Sequence, residues 1–275
     1  MTPLFILPFD HRGSFAHDLL GKSYPVKGAD KKQLIALKNI IFDGILYAKA
    51  HYKGIGALAT IIDEEFGSHV IKNCRKQGVP FALTTESTVH ETLEFVHGDD
   101  FRVPFATLHP TFAKALVYYT VGNTKANKPM HKSLRELSVF CQKEGIDFML
   151  EVLIQNEGTK ADWSGKMIDE IEAAGVKPTI WKIEALETVK EWRELATHTS
   201  ASIIILGRGE SKKQVDAWVK TAAMSGCVIG FAVGRTIFLK ALKDFVAGKR
   251  TREATVEQIG KNYLHYIRLW EKEAR

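Results

Sequence analysis

The chain has 275 residues, 45% apolar and 25% charged, the balance of a soluble globular protein; this excludes disordered, collagenous and fibrous chains. Its 38 basic and 32 acidic residues leave a formal charge of +6. The bases are interleaved with acids, as in KNYLHYIRLWEKEAR, so anionic metabolites are expected as partners and nucleic acid is not. Apolar runs of about five to eight residues fall short of the roughly 18 that cross a bilayer, and MTPLFILPFD has no basic leader region. Neither membrane nor export is expected. Cys74, Cys141 and Cys227 form no CxxC and read as reduced thiols of a cytoplasmic protein.

Short β-rich runs alternate with longer amphipathic stretches. A first strand over residues 4–9 leads through a loop to a helix over 31–51. The second strand (57–62) precedes a helix at 65–77, and the third (81–84) a short helix at 89–96. The fourth (115–119) is followed by a helix at 132–144, and the fifth (148–154) by one at 164–174. Strands at 179–183, 202–206 and 228–233 precede helices at 189–197, 212–225 and 236–246, with Gly226 closing the second of these. A last helix covers 255–271. Runs such as SIIIL and VIGFAV are apolar on both faces, as parallel strands covered by helices require. Eight such units with no Pro/Gly/Ser-rich linker predict one α/β domain over residues 1–275, a (β/α)8 TIM barrel; a doubly wound open sheet is the alternative.

A barrel carries its chemistry at the C-terminal ends of its strands. Those ends hold Asp10-His11-Arg12-Gly13, Asp63-Glu64-Glu65 and Glu86, then Lys114 at strand four and Glu151 within strand five. Lys182 and Glu184 stand on strand six, Gly207-Arg208-Gly209 after strand seven, and Gly234-Arg235 after strand eight. Ionisable groups inside strands are costly unless paired. A lysine beside another cation, or partly desolvated, is a competent nucleophile toward a carbonyl, and a neighbouring glutamate can move the protons. Lys114, Glu151 and Lys182 therefore read either as a Schiff-base centre or as a structural ion-pair layer. The glycine-flanked arginines after the last two strands fit a phosphate site, where backbone amides and a helix N-terminus favour an anion. His11 reads as a loop hydrogen-bonding group. No HxH, HExxH, GxSxG or GxxxxGK[ST] occurs, so no metal and no cofactor are expected.

FDHRGSF, IIDEEFG, AKALVYY, MLEVLI, WKIEAL and GFAVGRTIF, in this order along nearly the whole chain, resemble the DUF2090 family. That family is related to the C-terminal domain fused to 5-dehydro-2-deoxygluconokinase of inositol catabolism. More distantly, the chain is similar to class I tagatose-1,6-bisphosphate aldolases. The resemblance implies a Schiff-base lysine at Lys182, an acid/base glutamate at Glu151 and the strand-four lysine at Lys114. It also implies a hydroxyl-handling aspartate at Asp10 and a phosphate-binding arginine at Arg235. TTEST stands where class I fructose-bisphosphate aldolases commonly carry a lysine, and GRGES replaces the small-residue loop of the tagatose enzymes.

The expected function is a metal-independent aldolase, a lyase of carbohydrate metabolism acting on a phosphorylated keto sugar or keto sugar acid. Lys182, Glu151, Lys114 and Asp10 are its expected catalytic residues, with Lys114 depressing the pKa of Lys182. Arg235, Gly234, Gly207, Arg208, Gly209, Arg12 and Asp63 are its expected substrate-binding residues. A non-catalytic sugar-phosphate-binding module is the competing class, and apolar helix faces leave a homo-oligomer open.

Overall fold

A computed structural model of the chain describes residues 2–87 and 92–274. Eight parallel strands close on themselves in sequence order: β1 (Leu4–Pro8), β2 (Ala57–Ile62), β3 (Phe81–Thr84), β4 (Phe112–Tyr119), β5 (Asp147–Ile154), β6 (Ile180–Ile183), β7 (Ser202–Leu206) and β8 (Val228–Ala232). This is a TIM barrel. The covering helices are α1 (Gly13–Leu20), α2 (Gly28–His51), α3 (Glu64–Gln77), α4 (Val103–Leu108) and α5 (Thr124–Glu144), then α6 (Lys160–Ala173), α7 (Val189–Leu195), α8 (Lys212–Ser225), α9 (Arg235–Val246) and α10 (Arg252–Glu273).

Strand pleating sorts the side chains into two sets. Phe5, Leu7, Val117, Leu150, Trp181, Ile205 and Phe231 face the helices in the larger apolar cluster. Leu4, Ile6, Ile61, Phe112, Met149, Ile180 and Ile204 fill the lower interior of the barrel. The same alternation carries upward along β4 from Phe112 to Lys114, Leu116 and Tyr118, and along β5 from Met149 to Glu151 and Leu153. The inner face thus turns from apolar to ionisable toward the C-terminal mouth.

Closure depends on one position. Gly230 on β8 lies beside Leu4 on β1, where β8 also slips register against β7. A Cβ there would stand 1.8 Å from the Leu4 carbonyl oxygen, so the strands could not approach. Gly230→Ala is expected to cost about 3 kcal/mol, read as a lower denaturation midpoint in urea. An unchanged midpoint would contradict this account of the seam.

Several elements differ from expectation: α4 is unpredicted, α5 begins at Thr124 rather than 132 and β4 at Phe112 rather than 115. Residues 13–20, read as loop, form α1; Phe15, Ala16 and Leu19 are buried and Gly21, at φ 63°, ends the helix. Of the helix predicted over 89–96, the part up to 91 lies outside the described residues, and 92–96 are not helical. Phe95 instead bridges Glu86 in antiparallel fashion, and the Val96 amide donates to Thr85 O at 2.9 Å. The Phe95 ring stacks on Phe101 with centroids 4.3 Å apart, so aromatic packing decides the local structure. Among the described residues no helix is long and apolar enough to cross a membrane.

Candidate active site

A cavity of about 460 Å³ opens at the C-terminal mouth, its floor made by the inward side chains of β3 to β6. Lys114 is 1% exposed. Its Nζ lies 2.6 Å from Glu86 Oε1, 2.9 Å from Asp10 Oδ2 and 3.2 Å from Glu151 Oε2. Register places Glu151 beside Lys182, and Lys182 Nζ lies 2.7 Å from the same Oε2. Lys114 and Lys182 are therefore not bare neighbouring cations: the Glu151 carboxylate stands between them. Thr84 Oγ1 donates to Asp10 Oδ2 at 3.0 Å, which orients the β1 carboxylate.

Two lysines and three acidic side chains thus share a largely buried space. Burial opposes the charge on Lys114, but Asp10, Glu86 and Glu151 outweigh it and hold its pKa well above the ordinary lysine value. Burial likewise opposes the charge on Asp10 and Glu151. Lys114, with His11 and Lys182, pulls Asp10 well below the usual carboxylate range. Lys182 and Lys114 hold Glu151 down. Glu86 goes the other way: burial, aided by nearby Asp10, outweighs Lys114 and raises its pKa.

The rim is cationic on the β7, β8 and β1 side. Arg235 is the first residue of α9, whose N-cap Gly234 offers no side-chain cap. Its Nη2 donates to Arg208 O at 2.7 Å. Gly209, at φ 77°, leaves room for this guanidinium; a Cβ there would lie 2.7 Å from Arg235 Nε. The Gly207 amide donates to Ala232 O at 3.3 Å, tying the β7 loop to β8. Arg12 reaches across the mouth to donate from Nη2 to Glu86 O at 2.5 Å. Among the described residues neither Arg12 nor Arg235 has a carboxylate partner.

Two expected substrate-binding residues take other partners. Arg208 lines the cavity but pairs with Glu184, which also accepts from the Ile154 amide at 2.8 Å and lies 3.3 Å from Lys160. Asp63 is outside the cavity lining. It pairs with buried Lys38 and caps α3 by accepting from the Phe66 amide at 2.9 Å. A lone buried Lys38 would be costly, and Asp63 is the group that offsets it.

His11 also departs from its reading. The buried Nδ1 has no hydrogen-bond partner among the described residues. Burial, with Arg235, Lys182 and Lys38 nearby, pulls its pKa down to about 4 despite Asp10. Native His11 then stays neutral between about pH 4 and 6.5, where the unfolded chain takes up a proton. Its contribution to stability is present above pH 6.5 and is lost as pH falls toward 4. His11→Asn is expected to flatten the fall in stability over this window in denaturant titrations; an unchanged pH slope would contradict the assignment.

A family model matches residues 1–274, and it describes an uncharacterized protein conserved in bacteria, DUF2090. The chain belongs to the DUF2090 family. Comparison with curated proteins finds no match. Among solved structures, Cgl0159 from Corynebacterium glutamicum is similar at 17% identity and a TM-score of 0.58, over 94% of this chain and 86% of that one. The YdjI aldolase from Escherichia coli K12 is similar at 11% identity and a TM-score of 0.55, over 99% and 92%. At these identities the likeness concerns the fold, and this DUF2090 protein must be read from its own site.

That site brings Asp10, Lys114, Glu151 and Lys182 together in one hydrogen-bonded cluster below Arg12, Gly207, Arg208, Gly209, Gly234 and Arg235. Glu86, the third acid on Lys114, stands among the strand-end residues of the sequence but not among the expected catalytic or substrate-binding residues. The signal was present, since pleating that turns Thr84 inward also turns in the residue two further on.

Proposed function

We propose that this DUF2090 protein is a metal-independent aldolase that cleaves a phosphorylated keto sugar or keto sugar acid through a Schiff base on Lys182. The observation that carries the reading is the pairing of Lys182 Nζ with Glu151 Oε2 at 2.7 Å on the floor of a cavity with a cationic rim. An amine attacks a carbonyl only after losing a proton, and Glu151 is placed to take it. The same carboxyl then returns a proton to the departing hydroxyl as the carbinolamine loses water. The resulting iminium draws the electron pair of the C–C bond, while Asp10 takes the proton from the hydroxyl on the carbon released as aldehyde. Lys114 fixes Asp10 and Glu151 relative to each other and keeps both ionised.

Arg235, with the uncapped start of α9 and the Gly207 to Gly209 loop, would bind the phosphate. Arg12 is free to meet a second polar or anionic group. By family resemblance, 2-deoxy-5-keto-gluconate 6-phosphate is the leading substrate and tagatose 1,6-bisphosphate the second. The protein would act in the cytoplasm, in keeping with free Cys74, Cys141 and Cys227.

The test is a cleavage assay over a panel of ketose and keto-acid phosphates, run with and without EDTA. Release of a triose phosphate that EDTA leaves unchanged is the expected result. Loss of activity to EDTA with recovery on adding a divalent metal would overturn the mechanism. Tight binding in calorimetry with no cleavage of any panel member would favour a sugar-phosphate-binding module.

A further inference from the structure

Cleavage through an iminium leaves an enamine, and its carbon must gain a proton before Lys182 can release the ketone half. None of the roles above supplies that proton. Resting on the aldolase reading, we propose that Glu86 is the catalytic acid for this step, recharged from Asp10 through Lys114.

Glu86 is 2% exposed yet lines the cavity. Its Oε1 accepts from Lys114, and its buried Oε2 has no hydrogen-bond partner among the described residues. A buried carboxyl oxygen left unpaired is costly unless it carries a proton or meets a ligand. The backbone holds it there from both sides: Arg12 donates to Glu86 O at 2.5 Å, and the Ser87 amide donates to Glu94 O at 2.8 Å.

Other groups at the mouth fit the step less well. Glu151 is held ionised between two lysines. Tyr24 donates its proton to Glu65 at 2.7 Å. Tyr118 is 40% exposed and open to solvent. Asp10 and Glu86 share one ammonium, yet their surroundings push their pKa values in opposite directions. Such divergence separates a base from an acid.

The proton count closes. Asp10 takes the hydroxyl proton as the C–C electron pair moves into the iminium. The enamine carbon then takes the proton of Glu86 Oε2, whose O–H pair stays on the carboxylate, and the iminium re-forms. Protonated Asp10 passes its proton to Lys114 while Lys114 gives one to Glu86 Oε1, along contacts of 2.9 and 2.6 Å, and rotation of the carboxyl group about Cγ–Cδ brings the protonated oxygen back to the cavity. The net change moves one proton from oxygen to carbon and needs no other reactant.

The experiment uses dihydroxyacetone phosphate in D2O as the probe. Deuterium uptake at carbon reports the protonation step, and borohydride reduction of a parallel sample reports the iminium. Wild type is expected to do both. Glu86→Gln, which can still accept from Lys114, is expected to keep the reducible adduct while exchange falls about a hundredfold or more. Glu86→Asp is expected to recover part of the exchange. The proposal requires the ratio of exchange to adduct to fall in Gln and recover in Asp; any other pattern overturns it. If wild type itself gives no adduct, the aldolase reading fails first and this step falls with it.

Discussion

Lys182→Ala is expected to lower kcat by on the order of 10³-fold or more while the barrel stays folded. Removing the amine removes the electron sink, and no neighbouring group replaces it. Lys114 cannot substitute, because Asp10, Glu86 and Glu151 hold it as an ammonium with no lone pair for attack. The structural cost is small for a buried charge. Glu151, the partner left behind, keeps Lys114 at 3.2 Å, so the loss of stability should stay near 1–3 kcal/mol. Turnover near wild type in the folded variant would remove the Schiff base from the account. The two readouts together separate a lost nucleophile from a broken fold.

Lys114→Met is expected to have the larger effect on stability. Three buried acids then face one another with only Lys182 to balance them. Breaking a buried ion pair from one side costs about 3–5 kcal/mol, and here three acids lose a shared partner. The pH dependence gives the effect a signature. In wild type the lowered pKa values of Asp10 and Glu151 contribute stability that is lost on acidification. In the variant the uncompensated carboxylates take up protons more readily than in the unfolded chain, so stability is lost as pH rises instead. The difference between variant and wild type should narrow from pH 8 toward pH 5 in guanidinium titrations. A difference that stays constant with pH would mean that Lys114 acts by packing rather than by charge.

Most of the barrel was legible because its strands are apolar runs bounded by turns. The strands at 57–62, 81–84 and 202–206 and the helix at 212–225 fall where the sequence places them. Strand four begins three residues earlier than read, because Lys114 interrupts the apolar run although pleating keeps it in register with Phe112 and Leu116. Such a lysine looks like a strand edge until its partners are known. The partners of Asp63 and Arg208 were hidden for a related reason. Lys38 is 25 residues from Asp63 and Glu184 is 24 from Arg208, and only the folded barrel brings them together. Alternation alone could have added Glu86 to the site. What it could not show is that Lys114 gathers three acids, since that depends on β1, β3 and β5 meeting across the barrel interior.

The central claim is that Lys182 forms a covalent link to a substrate carbonyl. The most direct measurement is borohydride trapping with dihydroxyacetone phosphate and the ketose and keto-acid phosphate panel, followed by peptide mass spectrometry. The expected result is a reduced adduct on the peptide carrying Lys182, abolished in Lys182→Ala. An adduct confined to another lysine, or no adduct with any ligand at saturating concentration, would contradict it.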